Sequence, residues 1–136
     1  MAMSRSIFRK VIVALAIATA AVGFAPAAAQ ASPGVPRGAF ILTVSEGTTP
    51  YLGEPVLLTC PPIPLATHPD PAGACAAIAA AGGDFNQLPV DPAVLCPAIY
   101  APVTATADGR WGGRKVHWTK TFENSCLLYV ETHPVF

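Results

Sequence analysis

The distribution of apolar positions divides this chain into segments of different kinds. Residues 11–22 form an apolar run of twelve in which Thr19 is the one polar residue, preceded by the cations Arg5, Arg9 and Lys10. That run is shorter than the roughly 18 to 20 residues needed to cross a bilayer core. With the small residues Ala27, Ala29 and Ala31 behind it, the pattern predicts a secretory signal peptide. Cleavage is expected after Ala31, leaving a leader of residues 1–31 and one exported domain over residues 32–136, secreted and without a membrane anchor.

Beyond the leader, residues 39–44 (Ala-Phe-Ile-Leu-Thr-Val) are rich in β-formers and stop at Ser45, Glu46 and Gly47. Residues 56–60 (Val-Leu-Leu-Thr-Cys) are a second such run, stopped by Pro61, Pro62 and Pro64. Proline has no N–H to give a ladder, so two strands joined by a long loop are predicted, pairing as a hairpin. At Asp70-Pro71 the pattern changes. An N-cap residue followed by proline at the first helical position opens a helix, residues 72–81 are dominated by the strongest helix former, and Gly82-Gly83 ends it. The helix sets Cys75 and Ile78 on one face.

Residues 84–100 carry Pro89, Pro92 and Pro97 around Cys96, which excludes an interior strand and predicts a long, braced, exposed loop. A third strand is expected from Pro102 to Thr106, then a hairpin turn at Ala107-Asp108-Gly109-Arg110. In residues 116–122 the alternation places Val116, Trp118 and Phe122 on one face of a strand, with His117, Thr119 and Thr121 on the other. A short final strand is expected at Val135-Phe136.

Charge changes the picture little. Removing residues 1–31 takes away three basic residues and no acidic ones, so the domain carries five Lys/Arg against eight Asp/Glu, a net charge of −3 with neutral histidines. A mildly acidic domain with no basic stripe in its sequence argues against nucleic acid as a partner. The cysteines add more. Cys60, Cys75, Cys96 and Cys126 all lie beyond the leader, and export places them where disulfides persist. Two bridges are expected, with three connectivities open. The absence of any C-x-x-C pair argues against zinc, and no metal or other cofactor is expected.

His68, His117 and His133 coexist with serines and aspartates, but no nucleophile motif accompanies them. Solvated or locally hydrogen-bonded histidines are expected, and no enzyme. The informative segment is Val94-Leu95-Cys96-Pro97-Ala98-Ile99-Tyr100-Ala101-Pro102. It combines a crosslinking cysteine, prolines that limit backbone freedom, and apolar side chains where the chain should face water. A segment ordered beforehand avoids much of the entropy cost of docking in a cleft. The competing reading is a proline-rich connector in a secreted, disulfide-stabilised binding or structural module.

The order Leu-Thr-Val, Val-Leu-Leu-Thr-Cys, Thr-His-Pro, Ala-Cys-Ala-Ala-Ile-Ala-Ala-Ala-Gly-Gly-Asp, Cys-Pro-Ala-Ile-Tyr-Ala-Pro-Val, Asp-Gly-Arg-Trp and Phe-Glu-Asn-Ser-Cys resembles the Streptomyces subtilisin inhibitor family across residues 39–136. The resemblance implies an α+β domain with a five-stranded antiparallel sheet and two short helices, bridges Cys60–Cys75 and Cys96–Cys126, and a homodimer formed through the sheets. It implies a secreted inhibitor of subtilisin-type serine proteases, acting through a substrate-like loop with the scissile bond between Ala98 and Ile99; the small alanine at position 98 extends the expected targets to elastase-like enzymes. Leu95, Cys96, Pro97 and Tyr100 would contact the protease, and the Asn124 amide would support the loop from behind. Alanine at position 98 offers no cation to an acidic pocket, so poor trypsin inhibition is expected. One departure from the family stands out: Leu127-Leu128-Tyr129-Val130 reads as β-rich.

Overall fold

The computed structural model describes residues 37–50 and 53–136; the expected signal peptide and its cleavage site lie outside them. Strand β1 (Gly38–Glu46) is followed by β2 (Val56–Cys60), helix α1 (Pro71–Ala80), a 3-10 turn at Phe85–Gln87, strands β3 (Val103–Trp111) and β4 (Arg114–Phe122), and helix α2 (Ser125–Thr132). The strands form one antiparallel sheet in the order β2-β1-β3-β4. The architecture is α+β with two helices and two disulfides, Cys60–Cys75 and Cys96–Cys126.

Alternation along the strands builds a single core. Phe40 and Leu42 of β1, Leu58 of β2, Ala105 and Ala107 of β3, and Trp118 and Phe122 of β4 are all buried on the face that meets the helices. From α1, Ala74, Ala77 and Ile78 pack onto that face, and the Cys60–Cys75 bridge ties the helix to the end of β2. The start of α1 follows the sequence pattern: Pro71 opens the helix and the Asp70 carboxylate accepts the Gly73 N–H at 3.0 Å. Gly82 and Gly83 close it with φ of 63° and 83°, a left-handed conformation that only glycine adopts without strain.

Three expectations are corrected. The turn between β3 and β4 falls not at residues 107–110, which lie inside β3, but at Gly112-Gly113. Asp-Gly is a strong hairpin signal, yet Gly112 and Gly113 supply positive φ (55° and 81°) at both central positions. Gly109 serves a different need. A Cβ there would stand 2.0 Å from the Ala39 carbonyl oxygen and 2.8 Å from the Phe40 Cα, so the residue is a close-approach site in mid-sheet. Gly109→Ala is expected to destabilise the domain by about 3 kcal/mol through overpacking, read as a lowered midpoint in urea with an unchanged slope.

The second correction is that Leu127-Leu128-Tyr129-Val130 is helical. Local β-preference is overridden by a cap and by burial: the Asn124 side-chain oxygen accepts the Leu127 N–H at 3.0 Å, and Leu128, Val130 and Thr132 turn inward. Third, the sheet of the described residues has four strands rather than five, and Val135-Phe136 is not a strand. Pro134 has no N–H for a ladder. The Val135 backbone is engaged elsewhere, its N–H donating to the Thr132 carbonyl at 2.8 Å and its carbonyl meeting His68 Nε2 at 3.0 Å.

Candidate functional site

The segment between the 3-10 turn and β3 has no regular structure, and every residue from 89 to 101 except Cys96 is exposed. It is nevertheless held along its length. Upstream, Phe85 and Leu88 are sunk in the core, and Trp118 Nε1 donates to Asn86 Oδ1 at 3.0 Å. Next, the Asp91 N–H donates to the Val130 carbonyl of α2 at 3.1 Å, while the Asp91 carboxylate accepts the Ala93 N–H at 2.9 Å and closes a local turn. Downstream, the Ala101 N–H donates to the Glu123 carbonyl at 2.9 Å and the Pro102 carbonyl accepts the Gly47 N–H at 2.7 Å.

The middle of the loop is gripped by the first residues of α2. Cys96 is bonded to Cys126 with a Cα–Cα separation of 5.7 Å. Asn124, buried at the helix start, donates through Nδ2 to the Ile99 carbonyl at 2.8 Å and to the Pro97 carbonyl at 3.3 Å. Its oxygen is taken by the Leu127 N–H, so the amide's orientation is set by donors and acceptors that cannot be exchanged. Asn124 therefore caps α2 and ties down the backbone on both sides of Ala98. The Ala98 carbonyl itself has no hydrogen-bond partner among the described residues.

The side chains project outward. Leu95 is 93% exposed, Tyr100 75% and Ile99 58%. Apolar surface displayed on a restrained backbone, rather than buried beneath it, is what a cleft-filling segment requires. Pro97 and Ala98 lie between these side chains, also exposed.

The histidines do not converge. His68 is buried, with Nδ1 accepting the Asp70 N–H at 3.1 Å and Nε2 facing the Val135 carbonyl. His117 pairs with Asp108 on the outer sheet face, and His133 stacks on Tyr129. No group of three metal-ligating side chains occurs among the described residues.

A family model described as subtilisin inhibitor-like matches residues 37–124. This chain belongs to the subtilisin inhibitor-like family. Within that family it is 45% identical over 101 residues to subtilisin inhibitor-like protein 5 of Streptomyces fradiae, an alignment covering 72% of this chain and 94% of that relative. It is 41% identical over 122 residues to the subtilisin inhibitor of Streptomyces albogriseolus, covering 88% and 81% of the two chains. Among solved structures it is similar to Streptomyces caespitosus sermetstatin, crystallised in complex with Bacillus licheniformis subtilisin: TM-score 0.61, 36% identity, covering 74% of this chain and 97% of that one.

Sequence reasoning picks out Asn124 but misses Asp91, whose Asp-Pro dipeptide was a readable turn signal. It also misses the Glu123 and Val130 carbonyls, which no side-chain pattern could reveal.

Proposed function

We propose that the protein is a secreted inhibitor of subtilisin-type serine proteases that presents residues 95–100 as a substrate-like loop, with Ala98–Ile99 as the scissile bond. The observation that carries this reading is the asymmetry around Ala98: the carbonyls of Pro97 and Ile99 are held by one buried amide, while the Ala98 carbonyl is free to meet a nucleophile. The names of the two Streptomyces relatives and the sermetstatin–subtilisin complex support the same target class, and none of the three is named as an enzyme.

In this mechanism Ala98 enters the primary pocket, Leu95 fills the hydrophobic pocket three residues upstream, and Pro97 and Tyr100 flank the bond. A protease serine attacks the Ala98 carbonyl, but Cys96 and Asn124 hold the new ends near each other. Religation then competes with hydrolysis because the ends stay at high effective concentration. Elastase-like enzymes with small primary pockets are further targets of the same chemistry. We read the working form as a homodimer through the sheets, a reading supported by Ile41 lying exposed on the sheet's outer face. No helix of the described residues is long and apolar enough to cross a membrane, and the leader of residues 1–31 supports secretion.

Ala98→Asp tests the site. An unpaired carboxylate buried in an apolar pocket costs several kcal/mol, so inhibition of subtilisin is expected to weaken by about 1,000-fold or more while the melting temperature stays unchanged. Retained potency would move the reactive site elsewhere. Ala98→Lys is expected to create trypsin inhibition, measured as a new tight inhibition constant against an enzyme the parent leaves active.

A further inference from the structure

Downstream of Ala98 the loop runs through Ile99, Tyr100, Ala101 and Pro102 into β3, the strand that lies between β1 and β4. Backbone bonds reach this arm from both neighbours: the Ala101 N–H donates to the Glu123 carbonyl just past β4, and the Pro102 carbonyl accepts from Gly47 just past β1. Thr104 joins the two sides. It is wholly buried, in a row with Ser45 of β1 and Thr121 of β4, which stand directly opposite it on the neighbouring strands.

The Thr104 hydroxyl donates to the Gly47 carbonyl at 2.8 Å and lies 2.9 Å from the Thr121 hydroxyl. A hydroxyl has a single hydrogen to give, so with that hydrogen on Gly47, Thr121 must be the donor to Thr104. The bonds therefore run in one direction, from β4 through β3 to the turn after β1. Ser45 Oγ adds a bond to the Thr104 carbonyl at 3.3 Å. Gly47 is thereby held at both polar atoms, its N–H on Pro102 and its carbonyl on Thr104.

We propose that Thr104 is a positioning residue for remaking the Ala98–Ile99 bond, acting through Gly47 on Pro102; this rests on the reading of residues 95–100 as the protease-binding loop. After the cut, Ala98 is esterified to the protease serine and Ile99 carries a free amine. Religation needs that amine to attack the Ala98 carbonyl carbon, forming the peptide bond as the serine oxygen leaves and takes up the amine's proton. The upstream arm keeps the Cys96–Cys126 bridge. The downstream arm has no disulfide, so hydrogen bonds at its foot set where the Ile99 amine rests. Removing one member of a buried polar network costs more than the one bond it made.

The test compares three variants at a temperature well below the melting point of each. Thr104→Val keeps the side chain's shape and removes the hydroxyl, Thr104→Ser keeps the hydroxyl, and Thr106→Val breaks the Thr43–Thr106 hydroxyl pair on the same strands without touching the arm. In Thr104→Val, subtilisin should hydrolyse the Ala98–Ile99 bond about 10-fold faster, and resynthesis from clipped protein should slow by about as much. Thr104→Ser should recover the parent's rates. Thr106→Val should melt earlier yet be cut at the parent's rate, which a purely structural role for Thr104 would not predict. Parent-like hydrolysis of Thr104→Val, equal acceleration in Thr106→Val, or no recovery in Thr104→Ser would each overturn the proposal. Hydrogen exchange of the Gly47 amide in the free protein keeps the result separate from the inhibitor reading, and it should quicken in Thr104→Val alone. Unchanged exchange would overturn the role of Thr104 even where subtilisin is inhibited; quickened exchange in a protein that does not inhibit subtilisin would overturn the loop reading instead.

Discussion

Replacing Cys96 and Cys126 together by serine is expected to turn the protein from a lasting inhibitor of subtilisin into a substrate. The bridge is the one covalent tie between the loop and α2. It spans a sequence separation of 30, and on the chain-entropy model such a closure is worth roughly 3.5 to 4 kcal/mol. The loss falls mainly on the loop, because α1 and the sheet keep Cys60–Cys75 and the shared core. Once the Ala98–Ile99 bond is cut in the variant, the end carrying Ala98 is held by little more than the Pro97 hydrogen bond, and it leaves faster than it religates. Inhibition should weaken by about 100-fold or more, since each 1.4 kcal/mol of lost restraint is a factor of ten. In a time course, subtilisin activity should return as the inhibitor is consumed, with mass spectrometry following the cut chain. A durable, uncut complex would assign the restraint to the hydrogen bonds alone.

The second large effect concerns Asn124, where two roles can be pulled apart. Asn124→Ala removes the cap of α2, worth about 1 kcal/mol, together with both bonds to the loop. Asn124→Asp keeps an acceptor for the Leu127 N–H but sets a carboxylate against the Pro97 and Ile99 carbonyls. The alanine variant should therefore lose stability and inhibition. The aspartate variant should keep most of its stability yet have its Ala98–Ile99 bond hydrolysed at least about 10-fold faster, consistent with a net loss of about 1.4 kcal/mol or more. Thermal melts and cleavage rates, measured side by side, separate the two. Equal cleavage rates in parent and aspartate variant would reduce Asn124 to a helix cap.

Much of the fold was legible because local chemistry and tertiary structure agree there. Asp70-Pro71 and Gly82-Gly83 bracket α1, and alternation marks β4, where nothing competes with the local preference. Legibility failed where a local signal served a different purpose. Asp108-Gly109 reads as a turn, but Gly109 is glycine because the Ala39 carbonyl leaves no room for a Cβ. The run from Leu127 to Val130 reads as β-rich, but the Asn124 cap and the burial of Leu128 and Val130 impose a helix. The exposed, proline-braced segment around Ala98 was visible in composition. Its mounting was only half visible: Asn124 could be named from the resemblance, whereas the bonds through Asp91, Glu123 and Val130 use backbone atoms that any residue would supply.

All of this rests on a loop whose shape outlasts the breaking of its central bond. The direct measurement is to isolate protein clipped between Ala98 and Ile99, add a catalytic amount of subtilisin at mildly acidic pH, and follow the loss of 18 Da, the mass of one water, as the bond reforms. The intact and clipped preparations should converge on the same ratio of the two forms. Clipped protein that never rejoins, while intact protein is steadily consumed, would contradict it.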